Sequence, residues 1–251
     1  MDSGNACSAA LAGVDPRQIQ AADIPLLAGL PAASLERLLG AARIDRFDRG
    51  KLLFAEGKLP KEQQIVLSGI VDLARLEGGR ECTTMMMSAG DVLALAAALS
   101  SEPFLVSARA LTIVRILSID SEAIRTEARL TPAFAMNMVK VLSGQWRVAH
   151  RIILDLKCRS PSQRLAAFLL RLHDSTRPGA VAEIPFSKRQ LAARIGMQPE
   201  TLSRTLQTLA SNGLHLRGHQ IILLDRDKIK AFCGPDPYPS GNEHGLGVYA
   251  L

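Results

Sequence analysis

Residues 197–206 read MQPETLSRTL, and the architecture of the chain turns on how these ten residues are read. Upstream, ARIG ends an apolar helical pattern at Gly196, the residue type that most readily adopts a left-handed turn. Downstream, Leu202, Leu206 and Leu209 recur at helical spacing, and Glu200, Ser203, Arg204 and Gln207 fall on the opposite side. The pattern is a helix, a tight turn and a second helix whose polar face is concentrated near its N-terminus. A recognition helix enters the major groove in this way, first turn foremost.

The chemistry of that face suits base edges. A guanidinium can give two hydrogen bonds to guanine O6 and N7, a carboxylate can accept from cytosine N4, and a hydroxyl can reach a base or a phosphate. The candidate DNA-contacting residues are Gln198, Glu200, Thr201, Ser203 and Arg204, with Lys188 and Arg189 at the head of the preceding helix. Pro199 is tolerated in a first helical turn because its missing N–H would have no intrahelical partner there. Gln198 is a mediocre cap, a local weakness that the sequence does not explain.

The flanks extend the motif. Ser160-Pro161-Ser162-Gln163 and Ser187-Lys188-Arg189-Gln190 both have the form of a capping box. They predict helices over 161–173 and 188–195, with a loop and strand at 180–186 between them. A recognition helix over 199–212 follows, then two short strands around Arg217-Gly218. From Arg159 to Lys230 there are twelve Lys and Arg against five Asp and Glu, a surplus of seven in a chain of net charge +6. Phosphate contact is the natural use of that charge, a solvated surface helix the plainer alternative.

Before this region, a long helix is expected from Pro132 to about Cys158. Met138, Leu142, Gln145, Ala149, Ile152 and Leu156 are spaced 4-3-4-3-4, as in the seam of a coiled coil. Such a stripe can be covered by a second copy of the chain or by the preceding domain. The charges opposite, Lys140, Arg147 and Arg151, favour a homodimer. Between Ile24 and Leu39, apolar residues fit short helices broken at Pro31. From Ile44 to Ile119, short apolar segments alternate with glycine turns, the texture of an antiparallel barrel or sandwich. The reading is therefore α+β, with five parts: a loose tail at 1–20, a sensor domain at 21–130, the long helix at 131–158, a winged helix-turn-helix at 159–232 and a second loose tail at 233–251.

Composition narrows the classes. Nearly half of the 251 residues are apolar and few are aromatic, so the core must be mainly aliphatic. The longest apolar run, Val92–Leu99, is far too short to span a membrane, and the N-terminus lacks a basic leader, so a cytoplasmic protein is expected. Cys7, Cys82, Cys158 and Cys233 form no C-x-x-C pair, which argues against a disulfide framework or a zinc site. A metal-dependent barrel enzyme would need clustered histidines, and residues 1–149 contain none, so no enzymatic activity is expected.

With these residues in place, the chain resembles the Crp/Fnr family of bacterial transcription regulators over about residues 24–232. DRGKLLFAEG, LSGIVDL, EGGRE and SAGDV carry the resemblance in the first domain, and QPETLSRTLQTLASNGLHL in the second. The resemblance implies an N-terminal β-roll like that of cyclic-nucleotide-binding domains, a dimerisation helix and a C-terminal winged helix-turn-helix. Glu200, Ser203 and Arg204 reproduce the E-x-x-S-R pattern of the Fnr-like branch. They imply a homodimer acting as an activator on double-stranded DNA with palindromic TTGAT-like half-sites, and RNA polymerase as a partner. Arg204 would read the guanine, Glu200 the opposite strand and Ser203 a thymine.

The resemblance also frames the effector. In the cyclic-AMP branch a Glu follows a G-D-F-I-G stretch, with an Arg about ten residues later. Here Leu95 and Phe104 stand in those places, and Leu93, Leu95, Phe104 and Val106 give an apolar effector pocket, which argues against cyclic AMP. An iron–sulfur cluster needs four thiolates that the cysteine spacing does not supply. The denitrification regulators of the Dnr and NnrR kind look most similar, implying a response to nitric oxide, redox state or oxygen limitation. Haem is then a candidate cofactor, although no histidine precedes His150 and Met85, Met86, Met87, Cys82 or Cys7 would have to serve as ligands. An effector would shift the β-roll against the long helix near residues 134–158 and so rotate the paired recognition helices. The alternative to a regulator is an effector-binding module with no transcriptional role.

Overall fold

Glycine turns divide residues 43–120 into eight short strands: β1 (Arg43–Phe47), β2 (Leu52–Phe54), β3 (Glu62–Ser68), β4 (Val71–Glu77), β5 (Arg80–Met87), β6 (Val92–Leu93), β7 (Ser107–Ala110) and β8 (Val114–Asp120). The computed structural model describes residues 15–40, 42–78, 80–174, 181–184 and 186–234. The strands form two four-stranded sheets, in the orders β1-β8-β3-β6 and β2-β7-β4-β5. Pairing is antiparallel, with β3 on β8 in register from Glu62↔Asp120 to Val66↔Ile116. At the β3–β4 turn, Gly69 has φ +86°, and a Cβ there would lie 2.3 Å from the Ile113 carbonyl oxygen, so the turn requires glycine. Each apolar segment expected as a strand lies in one. The apolar run Val92–Leu99 divides between β6 and a short helix that starts at Leu95.

Alternation sorts the strand residues between two faces. Ile65, Leu117 and Ile119 of the first sheet pack into a cluster with Ile24, Leu26, Leu27, Leu38 and Leu39. The helices over that sheet are α1 (Ala32–Gly40), α2 (Leu95–Ser100), α3 (Ser121–Leu130) and the long α4 (Pro132–Cys158). Phe134, Met138 and Val141 of α4 complete the cluster. Asn137 donates to the carbonyls of Leu26 and Ala28, and Gln145 donates to Val92 O at 2.7 Å. The boundary between the chain's two compact units falls inside α4, after Gln145.

These contacts correct the expected dimer seam. Met138, Leu142 and Gln145 are spent on the chain's own β-roll, and Arg151, expected on a charged outer face, is only 6% exposed. The heptad spacing was real, but the chain covers the first half of that stripe itself, while Ala149 and Ile152 are half-buried and Leu156 is exposed. The other stripe of α4 stays uncovered: Met136, Val139, Trp146 and Ile153 are exposed, at spacings of three and seven. Trp146 and His150 on this stripe meet edge to face, with centroids 4.5 Å apart.

The expected tails fall largely outside the described residues. Within the expected first tail, the described residues include a 3-10 turn at Pro16–Gln18 and Ile19 packed on the core cluster, and a second 3-10 turn follows at Ala21–Asp23. At the other end, Cys233 is buried and closes the last helix.

One buried polar group ties α1 to α3. The Arg37 guanidinium forks onto the Glu127 carboxylate, at 2.7 Å from Nε and 2.9 Å from Nη2. Thr131 also donates to Glu127, and its hydroxyl lies 3.1 Å from that of Ser34. The Arg37 hydrogen bonds, chiefly, hold the Glu127 carboxyl down at about 2, against an ordinary value of 4.5. A depressed carboxylate contributes stability that is complete above its unfolded pKa and is lost as pH falls toward the folded one. Glu127→Gln should therefore cost on the order of 1–3 kcal/mol at neutral pH, the half-exposed guanidinium tempering the loss. Its stability curve should also be flatter than that of the parent between pH 4.5 and about 2. Denaturant unfolding across that range checks both.

Candidate nucleic-acid interface

Downstream of α4, α5 (Pro161–Asp174) and α6 (Lys188–Ile195) start with the two expected capping boxes. The Gln163 side chain accepts from the Ser160 N–H while the Ser160 hydroxyl accepts from the Gln163 N–H, and Ser187 and Gln190 repeat the exchange. Gly196 closes α6 in the left-handed region at φ +72°, which turns the chain into the second helix, α7 (Pro199–Ser211).

Helix α7 is anchored on one side only. Leu202, Thr205 and Leu209 are buried and Leu206 is half-buried. Glu200, Thr201, Ser203, Arg204 and Gln207 are exposed, as is Gln198 at the cap position. The Ser203 hydroxyl donates back to the Pro199 carbonyl at 3.2 Å, leaving its oxygen lone pairs outward. Lys188 and Arg189 are also exposed, in the first turn of α6. The structure thus brings the sequence-nominated residues onto the free faces of the two helix starts. Gln198 makes no side-chain capping bond, so the first N–H groups of α7 have no side-chain acceptor from the cap residue.

Behind α7 stands a small wing. Strands β9 (Leu214–Arg217) and β10 (Gln220–Leu223) form an antiparallel hairpin turned at Gly218, where φ is +62°. Of the strand expected at 180–186, the described residues show one bridge, Glu183↔Gln220, backed by hydrogen bonds from Ile184 N to His219 O and from Ile221 N to Ala182 O. His219 Nδ1 faces the Ile184 carbonyl at 2.7 Å and must donate to it. This histidine is thus a structural one. Helix α8 (Arg226–Cys233), capped by Asp225, packs on α5 and completes the domain.

The sensor side differs from its expected form. Leu95 is fully buried and belongs to the cluster beneath α4. Phe104 is buried too, stacked on Phe54 with ring centroids 3.8 Å apart. Leu93 is buried and Val106 half-buried. The residues expected to line an effector pocket thus act mainly as core filling, because apolar side chains in place of charged ones have no reason to keep a cavity open. The backbone still enters α2 through a left-handed residue, Ala94 at φ +47°, a conformation that costs a residue bearing a Cβ about 1–2 kcal/mol. Met86 and Met87 are buried in β5, where they pack as core and do not fit the role of haem ligands. Among the described residues, no group of three or more His, Cys, Asp and Glu is placed to hold a metal, and no helix is long and apolar enough to cross a membrane.

Comparison with known proteins agrees with this geometry. Residues 44–129 match the cyclic nucleotide-binding domain and residues 163–232 the Crp-like helix-turn-helix domain, which together cover more than half of the chain. A CRP-like cAMP-activated global transcriptional regulator of Mycobacterium tuberculosis is 26% identical over 189 residues, covering 73% of this chain and 84% of the relative. The transcriptional activator protein FnrA of Stutzerimonas stutzeri is 24% identical over 192 residues, covering 74% and 78%. The structure of FixK2 from Bradyrhizobium japonicum superposes with a TM-score of 0.67 at 23% identity, over 75% of this chain and 95% of that one, a likeness of fold. The chain belongs to the Crp/Fnr family and has the domains of a DNA-binding transcription regulator of that type.

Proposed function

We propose that the protein works as a homodimer on a palindromic site with TTGAT-like half-sites, in the manner of the Fnr-like branch. The observation that carries the reading is the division of α7: its leucines are sunk in the domain, and Glu200, Ser203 and Arg204 stand free on its first two turns. Arg204 reads guanine as a bidentate donor, with Glu200 and Ser203 addressing neighbouring bases. Lys188 and Arg189 serve phosphates, as do Gln198 and Thr201 at the helix start.

The second copy covers the outer stripe of α4, where Met136, Val139, Ser143, Trp146, His150 and Ile153 repeat at alternating spacings of three and four. A family of symmetric regulators reads two half-sites one helical turn apart, which requires two recognition helices held by one dimer. RNA polymerase is the partner through which such a dimer activates.

The effector class follows from Leu95 and Phe104. Neither can neutralise a phosphate, and Leu95 is already committed to the core, which favours a signal of nitric oxide, redox state or oxygen limitation over cyclic AMP. Such a signal would act where α4 lies on the first sheet, at Met138 and Gln145.

Arg204→Ala should cost roughly 1–3 kcal/mol of specific binding and relax the preference for the half-site guanine. Fluorescence anisotropy with matched and guanine-substituted duplexes measures both, and an unchanged guanine preference would refute the assignment. Trp146→Glu combined with Ile153→Glu should shift sedimentation from dimer to monomer while the far-ultraviolet circular dichroism stays unchanged, because both side chains are exposed in the single chain. A dimer that survives this pair would place the interface elsewhere.

A further inference from the structure

Beside the core cluster, the first sheet and the 3-10 turns that precede α1 enclose a cleft of about 350 Å³, partly open to solvent. Its apolar wall includes Ile19, Ile24 and Leu67, and its polar groups include Gln20, Asp23 and Arg115. Arg115 stands on β8 two residues before Leu117 and so shares with it the sheet face that carries the core cluster. Directly opposite on β1 is a second cation, Arg46, which is paired with Asp48 at 3.1 Å. Like charges set opposite each other repel, and Asp48 relieves only one of the two. The Arg115 Nε is buried and has no acceptor among the described residues. Asp23 closes the turn Ala21–Asp23 and is exposed. Among the described residues, no ion pair joins Asp23 to Arg115 or either of them to another group. Unpaired charges are ordinary on a surface. Here opposite charges line one cleft and stay apart, with apolar side chains beside them.

Small-molecule sites of about 300–1,000 Å³ combine apolar walls with a few polar groups that fix orientation, and this cleft has both. A guanidinium fork matches a carboxylate, and a carboxylate attracts an ammonium. A ligand that carries both charges would satisfy Arg115 and Asp23 at once, and an aliphatic body would lie against Ile19, Ile24 and Leu67. Asp23 disfavours multiply charged anions such as nucleotides. We propose that this cleft binds a free α-amino acid with an apolar side chain, its carboxylate on Arg115 and its ammonium on Asp23. The bound molecule bridges the 3-10 turns and the β5–β6 turn at Gly90, whose N–H donates to Val66 O at 2.9 Å. Gly90 lies two residues before Val92, the carbonyl of which holds Gln145 of α4. Occupancy of the cleft therefore bears on the strand end that α4 grips. The site lies apart from Leu95, Phe104 and the DNA-facing residues, and it stands whether or not the half-site reading holds.

The test is isothermal titration calorimetry of the full chain, without DNA, with L-leucine, L-valine and L-phenylalanine at constant ionic strength. The expected result is saturable binding of at least one of the three. Glycine lacks the side chain, isocaproate the ammonium and isoamylamine the carboxylate, and each should bind about tenfold or more weakly than the best amino acid. Arg115→Gln and Asp23→Asn should each weaken that amino acid by a similar factor. Arg204→Ala, on the DNA face, should keep the parental titration. Absence of saturable binding of all three in the parent protein would overturn the proposal, as would parental affinity in Arg115→Gln or loss of binding in Arg204→Ala. Isocaproate bound as tightly as the amino acid would overturn it too. Should Arg115→Gln fail to fold, Asp23→Asn changes an exposed carboxylate, and parental affinity in that variant would likewise overturn the site.

Discussion

Helix α4 has more apolar surface than one neighbour can cover, and much else in the molecule follows from that. At about 1.5 Å per residue its 27 residues extend roughly 40 Å. Over its first half, Phe134, Met138 and Val141 are pressed into the cluster on the first sheet, and Asn137 and Gln145 satisfy loop and strand carbonyls at the same surface. Near its end, Asp155 gathers Arg159 and Arg171. Over that first half one stripe is thus consumed within the chain, while Val139, Trp146 and Ile153 remain a full heptad apart on another. A helix amphipathic on two sides can answer to two partners, one within the chain and one outside it.

The recognition helix solves a different problem. It must be held firmly yet keep its first turns bare. Burial of Leu202, Thr205 and Leu209 holds it from behind, and Pro199 fixes its first backbone angle at no cost in hydrogen bonds. The absent cap at Gln198 belongs to the same compromise. A Ser or Asp there would accept an N–H of the first turn and occupy the end of the helix that has to meet DNA. An uncapped N-terminus keeps its N–H groups and its partial positive charge available to phosphate.

Local signals were the most legible part of the sequence. The two capping boxes, Gly196 and Pro199 placed α5, α6 and α7 to within a residue or so, because each rests on chemistry between near neighbours. The short apolar segments between Ile44 and Ile119 read as strands for the same reason. What could not be read was which partner covers a face. The spacing of Met138, Leu142 and Gln145 fits a seam between subunits as well as it fits a helix on its own sheet, and only the three-dimensional arrangement distinguishes them. Leu95 was read as the lining of a pocket because a charged residue was expected there, but a leucine freed of that duty simply joins the core. The missing signal for the outer stripe was its polar interruptions: Ser143 and His150 hide the periodicity that Val139, Trp146 and Ile153 keep.

Counting charge has a similar limit. The surplus of seven between Arg159 and Lys230 pointed to phosphate contact, as though every cation faced outward. Arg194 is buried, Arg159 is almost wholly so, and Arg164 and Arg171 are turned to an interior cavity beside Asp155. These four serve the joint between helices, so the charge offered to a DNA backbone is smaller than composition suggests. Because the salt dependence of binding scales with the number of phosphates neutralised, Lys188, Arg189, Arg204 and the cations of the wing and α8 set its upper bound. The same composition thus supports two distinct electrostatic tasks, one at the surface and one inside, and only burial separates them.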